Sequence, residues 1–113
     1  MKKLLIIPLL LIRLTVSGTN YYVKNGGNDS NSGLDDIQAW AHHPWMSTWT
    51  GSKILTPGDT VFMKRGDIWT ISNPTTAYIT IGQSGNSDNH ITTTAYGTGA
   101  KPIINISTDS YNS

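Results

Sequence analysis

The 113-residue chain contains no cysteine, and its seven acidic residues are all Asp, so Glu is absent as well. Without cysteine no disulfide can staple a small fold, and thiolate metal sites are excluded. Glu is missing, and Ala, Leu and Arg are thinly spread after residue 18, so strong helix formers are scarce and a helical bundle is disfavoured. Positive charge is also short. Beyond residue 18, five basic residues face seven Asp, a formal charge of −2. That balance lacks the clustered basic stripe of a nucleic-acid-binding surface. What the chain does hold is Thr, Ser, Asn, Gly, Ile and aromatic residues, a bias toward strands joined by tight turns.

No apolar run approaches the roughly 20 residues that span a bilayer. The start of the chain nevertheless has an order of its own. Met1-Lys2-Lys3 is basic, Leu4 to Ile12 is apolar apart from Pro8, and Thr15-Val16-Ser17-Gly18 supplies small residues. This order reads as a secretory signal peptide over residues 1–18. Arg13 sits late for such a segment, and an uncleaved anchor is the competing reading. The expected location is extracellular or periplasmic, secreted or at the cell surface, with no membrane attachment after cleavage. The Lys-Lys-led signal and the cysteine-free export point to a bacterial source.

After residue 18 the pattern is strand and turn. Tyr21 to Lys24 is a short β run, and Asn25 to Asp36 is a loop of Gly, Asn, Asp and Ser. Trp40 to Leu55 carries three Trp residues and the one candidate helix, with Pro44 at its first position and Trp45 and Trp49 on one face. Thr56-Pro57-Gly58-Asp59 is a turn. Further β runs are expected at Thr60 to Lys64, Ile68 to Ile71, Ala77 to Ile81, His90 to Tyr96 and Lys101 to Ile106. The chain then ends in polar residues, with no strand signal to cover the last apolar one, which reads as a truncated chain in preference to a natural terminus.

Several clusters could carry chemistry, and each has a plainer reading. Asn28 to Gly33 lacks the spacing of a calcium loop and its bidentate Glu, so it reads as an Asx-turn loop with Gly33 at positive φ. Asp35, Asp36, His42 and His43 read as a solvated loop, since adjacent side chains on an extended segment point apart. His90 reads as a surface residue. Asp59, Lys64, Arg65 and Asp67 could serve a lyase, which needs a base and a cation, often calcium held by Asp. Their positions suit turn capping and a strand end instead. Trp40, Trp45, Trp49 and Trp69 read as packing residues, with Trp49 the best candidate for an exposed ring that stacks on sugar. No catalytic, cofactor or metal residue is assigned within the chain.

Taken in order, these segments resemble a known family. Tyr21-Tyr22-Val23, Gly27-Asn28-Asp29-Ser30-Asn31-Ser32-Gly33, Pro44-Trp45, Leu55 to Val61 with Lys64-Arg65-Gly66, and Ala95 to Ile104 are similar to the opening region of pectate-lyase-like right-handed parallel β-helix proteins. The motif residues are Gly27, Asp29, Gly33, Pro44, Trp45, Pro57, Gly58 and Asp59. The resemblance implies a mostly β fold: a cap of short strand, loop and short helix over 19–56, then the first coil strands over 57–113. Aromatic residues would plug the open end of the first coil, and each coil would need its neighbours for stability. It also implies a parent enzyme that degrades polysaccharide, a lyase or a glycoside hydrolase, with this segment as its structural cap. The partners would then be polysaccharide, bound through the parent, and later coils of the same chain. Calcium, where the chemistry uses it, would belong to those later coils. Two alternatives stay open: a non-enzymatic surface or adhesion β-helix protein, and a carbohydrate-binding module that uses an exposed Trp.

Export has a direct test. Amino-terminal sequencing of the exported chain is expected to give a start at Gly18 or Thr19, after cleavage behind Ser17 or Gly18. A product that still begins at Met1 or Lys2 would refute the signal peptide.

Overall fold

A computed structural model of the chain describes residues 18–72 and 78–107, so all of the signal segment except Gly18 lies outside it. The architecture is all-β. Among the described residues five strands follow in order: β1 (Asn20–Val23), β2 (Thr60–Lys64), β3 (Ile68–Ser72), β4 (Thr92–Tyr96) and β5 (Ile103–Ser107). Each forms where β-branched and aromatic residues run between turn residues. The turns after β2 and β4 use Gly66 and Gly97 at φ 89° and 84°, a region that costs other residues energy.

The strands make two sheets, one ordered β1-β2-β4 and the other β3-β5. Every strand pairing is parallel. Thr60 lies opposite both Asn20, far before it in the chain, and Thr92, far after it. Ile68 lies opposite Ile103, across a return of similar length. Parallel pairing demands such long returns, because a tight hairpin can only reverse the chain.

Alternation along the strands sends Tyr21 and Val23, Val61 and Met63, and Trp69 and Ile71 inward, where all six are buried with Trp40, Met46 and Leu55. Register then stacks these residues in ladders. Val23 stands beside Met63, and Met63 beside Ala95. Trp69 stands beside Ile104, and Ile71 beside Ile106. Burial of a Val or Ile side chain contributes about 1.5–3 kcal/mol, so each complete rung is a substantial term. On the β5 side, Ile104 and Ile106 are 38% and 42% exposed, and nearby Ile79 and Ile81 are exposed too.

Three expectations are corrected. The stretch from Trp40 to Leu55 forms no helix. It makes two successive turns, closed by Met46 N–H to His43 C=O at 2.9 Å and Trp49 N–H to Met46 C=O at 3.0 Å. Its other amides are drawn to distant acceptors: Ser47 N–H to Tyr78 C=O, and Thr50 N–H to the Asp29 carboxylate. A helix would need those donors for itself. The strand expected over Ala77 to Ile81 is reduced, in its described part, to one antiparallel bridge between Ile79 and Met46; Ala77 lies outside the described residues. Tyr78 and Thr80 spend their bonds on Ser47 and Trp45.

The third correction is His43, which is 5% exposed and no part of a solvated loop. Trp45 N–H donates to its Nδ1 at 3.1 Å, which leaves the proton on Nε2 to be donated to Thr93 Oγ1 at 3.0 Å. The ring borders a cavity of about 150 Å3 lined by Met46, Met63, Ile79, Ile81 and Ile104. Burial pushes its pKa from 6.5 down to about 4. The folded value lies below the unfolded one, so this group's stabilising contribution is complete above pH 6.5 and declines as pH falls toward 4. Thermal unfolding between pH 7 and pH 4 is expected to show a loss on the order of 3 kcal/mol that His43→Gln lacks. The same acid sensitivity in His43→Gln would show that the imidazole is not responsible.

Candidate functional site

One of the motif residues, Asp29, is a buried carboxylate. Asp29 accepts from Ala41 N–H at 3.0 Å, His42 N–H at 2.9 Å and His42 Nδ1 at 2.7 Å. Thr50 adds its N–H at 3.0 Å and its hydroxyl at 3.1 Å. Burial alone would raise the pKa of this carboxyl, but the His42 ring and the Thr50 and His42 amides outweigh it and hold the pKa below its ordinary value. The loop that carries it is preorganised. Asn28 Oδ1 accepts from both Ser30 N–H and Ser30 Oγ, which makes an Asx turn. The same loop wraps Trp40, whose Nε1–H donates to Asn31 C=O at 2.8 Å.

Two glycines are fixed by that embrace. A Cβ on Gly27 would stand 2.2 Å from Trp40 C=O. Gly33 sits at φ 77° with its Cα face against the Trp40 indole, where a Cβ would come within 2.5 Å. The expected positive φ at Gly33 is therefore coupled to a packing demand.

Pro57-Gly58-Asp59 builds a second carboxylate anchor. Gly58 takes φ 92°, and the buried Asp59 accepts from Thr56 N–H and Oγ1 at 2.9 and 3.2 Å, and from Thr19 N–H at 2.9 Å. It thus closes its own turn and fixes the approach to β1. Pro44-Trp45 begins the first of the two turns that replace the expected helix. There Trp45 Nε1–H donates to Gln83 Oε1 at 2.8 Å.

The polar residues that could have formed an acid–base cluster are dispersed. His42 faces Asp29 and His43 faces Thr93. Asp35 accepts from Gln38 N–H. Asp36 lies outside β1 and β2, where it takes the Tyr96 hydroxyl at 2.7 Å and the Lys24 ammonium at 3.3 Å, with Lys64 at 3.9 Å. The Tyr96 bond, then Lys24, lower its pKa, while burial and then Asp36 raise that of Tyr96. Asp67 accepts from Asn25 N–H. His90 is exposed. Among the described residues no three His, Cys, Asp or Glu side chains converge to hold a metal ion.

The aromatic residues divide unevenly. Trp40 and Trp69 are buried; Trp45 and Trp49 are half-buried against the core. Trp49 meets Trp40 edge to face at 5.0 Å and lies against Gly51, so it does not stand clear as a stacking platform. The feature that sequence reasoning missed is a groove of about 810 Å3 between residues 29–34 and 50–54. Its floor is Tyr21 stacked on Trp40 at 4.7 Å. Lys53 lies above the Tyr21 ring, 5.3 Å from its centre. Neither Lys53 nor the neighbouring Ser52 belongs to a recognisable motif, and only folding brings them opposite the Asp29 loop.

No family model matches the chain, and no curated protein matches it. Solved structures do. The selenomethionine derivative of the GH136 lacto-N-biosidase from Eubacterium ramulus is 29% identical, with a TM-score of 0.59 over 75% of this chain. The native form of that protein gives 28% identity and a TM-score of 0.57 over 74% of the chain. The chain spans only 12% of the length of the protein it matches.

Proposed function

We propose that this chain is the amino-terminal cap and opening coils of a right-handed parallel β-helix in an exported carbohydrate-degrading enzyme, a glycoside hydrolase in preference to a lyase. The observation that carries the reading is the pair of parallel sheets whose inner ladders reach Ile104 and Ile106, both of them exposed. A further coil in the same register would bury these residues. The similarity to a lacto-N-biosidase supports the choice of hydrolase. Export rests on the order of residues 1–18.

In this reading the chain contributes architecture, and the chemistry lies in other coils. A glycosidase needs two carboxyl groups on either side of the scissile bond, about 5–5.5 Å or 6.5–9.5 Å apart depending on mechanism. Asp29 and Asp59 are buried and saturated with donors; Asp36 and Asp67 are tied to neighbouring side chains and backbone. A carboxylate held this way is poorly placed to act as nucleophile or proton donor.

The test compares the 113-residue chain with a protein extended through the following coils. The extended protein is expected to release sugar from a chromogenic lacto-N-bioside, whereas the short chain shows no turnover. Unsaturated uronate products, detected by ultraviolet absorbance, would replace the hydrolase with a lyase. Hydrolysis by the short chain, lost on Asp29→Asn, would overturn the structural role.

A further inference from the structure

The groove beside the Asp29 loop has the chemistry of a ligand site, and the capping role does not use it. At about 810 Å3 it falls within the roughly 300–1,000 Å3 that small-molecule sites occupy. Its character is mixed. The Tyr21–Trp40 stack forms the floor, and Leu34 and Ile54, 56% and 62% exposed, form apolar lips on opposite sides. Between the lips lie the Asn31 amide and the hydroxyls of Ser32 and Ser52. The Asn31 amide nitrogen is spent on Ala39 C=O, which turns its carbonyl into an available acceptor. A ligand that satisfies both kinds of wall needs apolar faces and hydroxylated edges at ring scale, which is the make-up of a saccharide.

The charges specify it further. Two charged side chains line the groove. Asp29 is fully occupied by five donors, one of them the His42 ring, so it asks nothing of a ligand. Lys53 is different: none of the ion pairs among the described residues involves it, and the groups that favour its charge are the Tyr21 hydroxyl and, after it, the Asp59 carboxylate. Its ammonium lies over the Tyr21 ring, and the residue lines the groove. A cation held at a half-apolar opening favours an anionic group, and a charge-assisted hydrogen bond is the stronger kind.

We propose that this groove binds a saccharide bearing a carboxylate, with the carboxylate on Lys53, the hydroxyls toward Asn31 and Ser52, and an apolar sugar face between Leu34 and Ile54. The assignment rests on the groove itself and goes beyond the capping role.

The test is a titration of the full chain with a uronic acid trisaccharide and with a neutral trisaccharide, read by tryptophan fluorescence, because Trp40 forms the floor and Trp49 packs on it. The acidic sugar is expected to give a saturable change. Lys53→Gln should weaken it about tenfold, as loss of a charged hydrogen bond does. Lys53→Arg should keep affinity within about threefold, since the charge remains. Raising salt to about 0.5 M should weaken the native protein and leave Lys53→Gln unaffected. Lys53 is exposed, so both variants should fold, and near-ultraviolet circular dichroism checks it. No saturable change in the folded native protein would overturn the proposal. So would equal affinity of Lys53→Gln, or binding of the neutral sugar as tight as that of the acidic one. None of these results depends on whether the extended protein hydrolyses glycosides.

Discussion

The structure depends on one ionised carboxylate in a buried place. Asp29 has lost most of its water and regains its hydrogen bonds from Ala41, His42 and Thr50. A charge taken out of water is tolerated only when it is this well supplied. The cost of an incomplete set fixes the geometry: the chain from 41 to 50 must pass close to the loop at 29. That passage carries Trp40 beneath the loop and along β1, where Trp40 N–H bonds Tyr22 C=O and Lys24 N–H bonds Trp40 C=O. The outer edge of β1 is thereby covered. In a chain without cysteine, these hydrogen bonds hold the loop between Asp29 and Thr50 closed in the folded state, without the constraint that a covalent cross-link places on the unfolded chain.

The two ends of the stacked strands are therefore unlike. At β1 the backbone is bridged and the aromatic rings of Tyr21, Trp40 and Trp49 close the layer. At β4 and β5 the inward positions are Thr93, Ala95, Ile104 and Ile106, none of them buried. Large rings are buried at the β1 side. At the β4 and β5 side the inward residues are aliphatic or hydroxylated and remain partly or fully exposed. His43 belongs to this second end, held neutral between Trp45 and Thr93 beside the small cavity.

Much of this was legible in the sequence. The five strands fall on runs whose alternation, such as Val61 and Met63 or Ile104 and Ile106, places alternate residues on one face. Gly33 and Gly58 announced positive φ through their turn context. The helix failed because its expectation weighed Pro44, Trp45 and Trp49 locally, while the amide of Ser47 is claimed by Tyr78 far downstream and that of Thr50 by Asp29 far upstream. The strand at Ala77 to Ile81 failed similarly: alternation supplies a face but no partner, and Ile79 found only a bridge to Met46. His43 and Asp29 looked like loop residues because burial of a polar group depends on donors and acceptors far along the chain. The groove was invisible for the same reason, since Lys53 has meaning only opposite the loop of Asp29 to Leu34, well before it in the chain.

The spans of the Asp29 bonds bear on the order in which the structure can be made. All of their donors lie between Ala41 and Thr50. A chain emerging from its amino end therefore possesses the whole clamp once Thr50 is out, before β2 exists. β1 then waits on a finished template, and each later strand adds to an edge already in place. Growth from a pre-closed end keeps register in step with synthesis, because a slipped β2 would have to pull Asp59 away from Thr19. The Asp29 clamp is thus a starting block for the strands as much as a brace upon them.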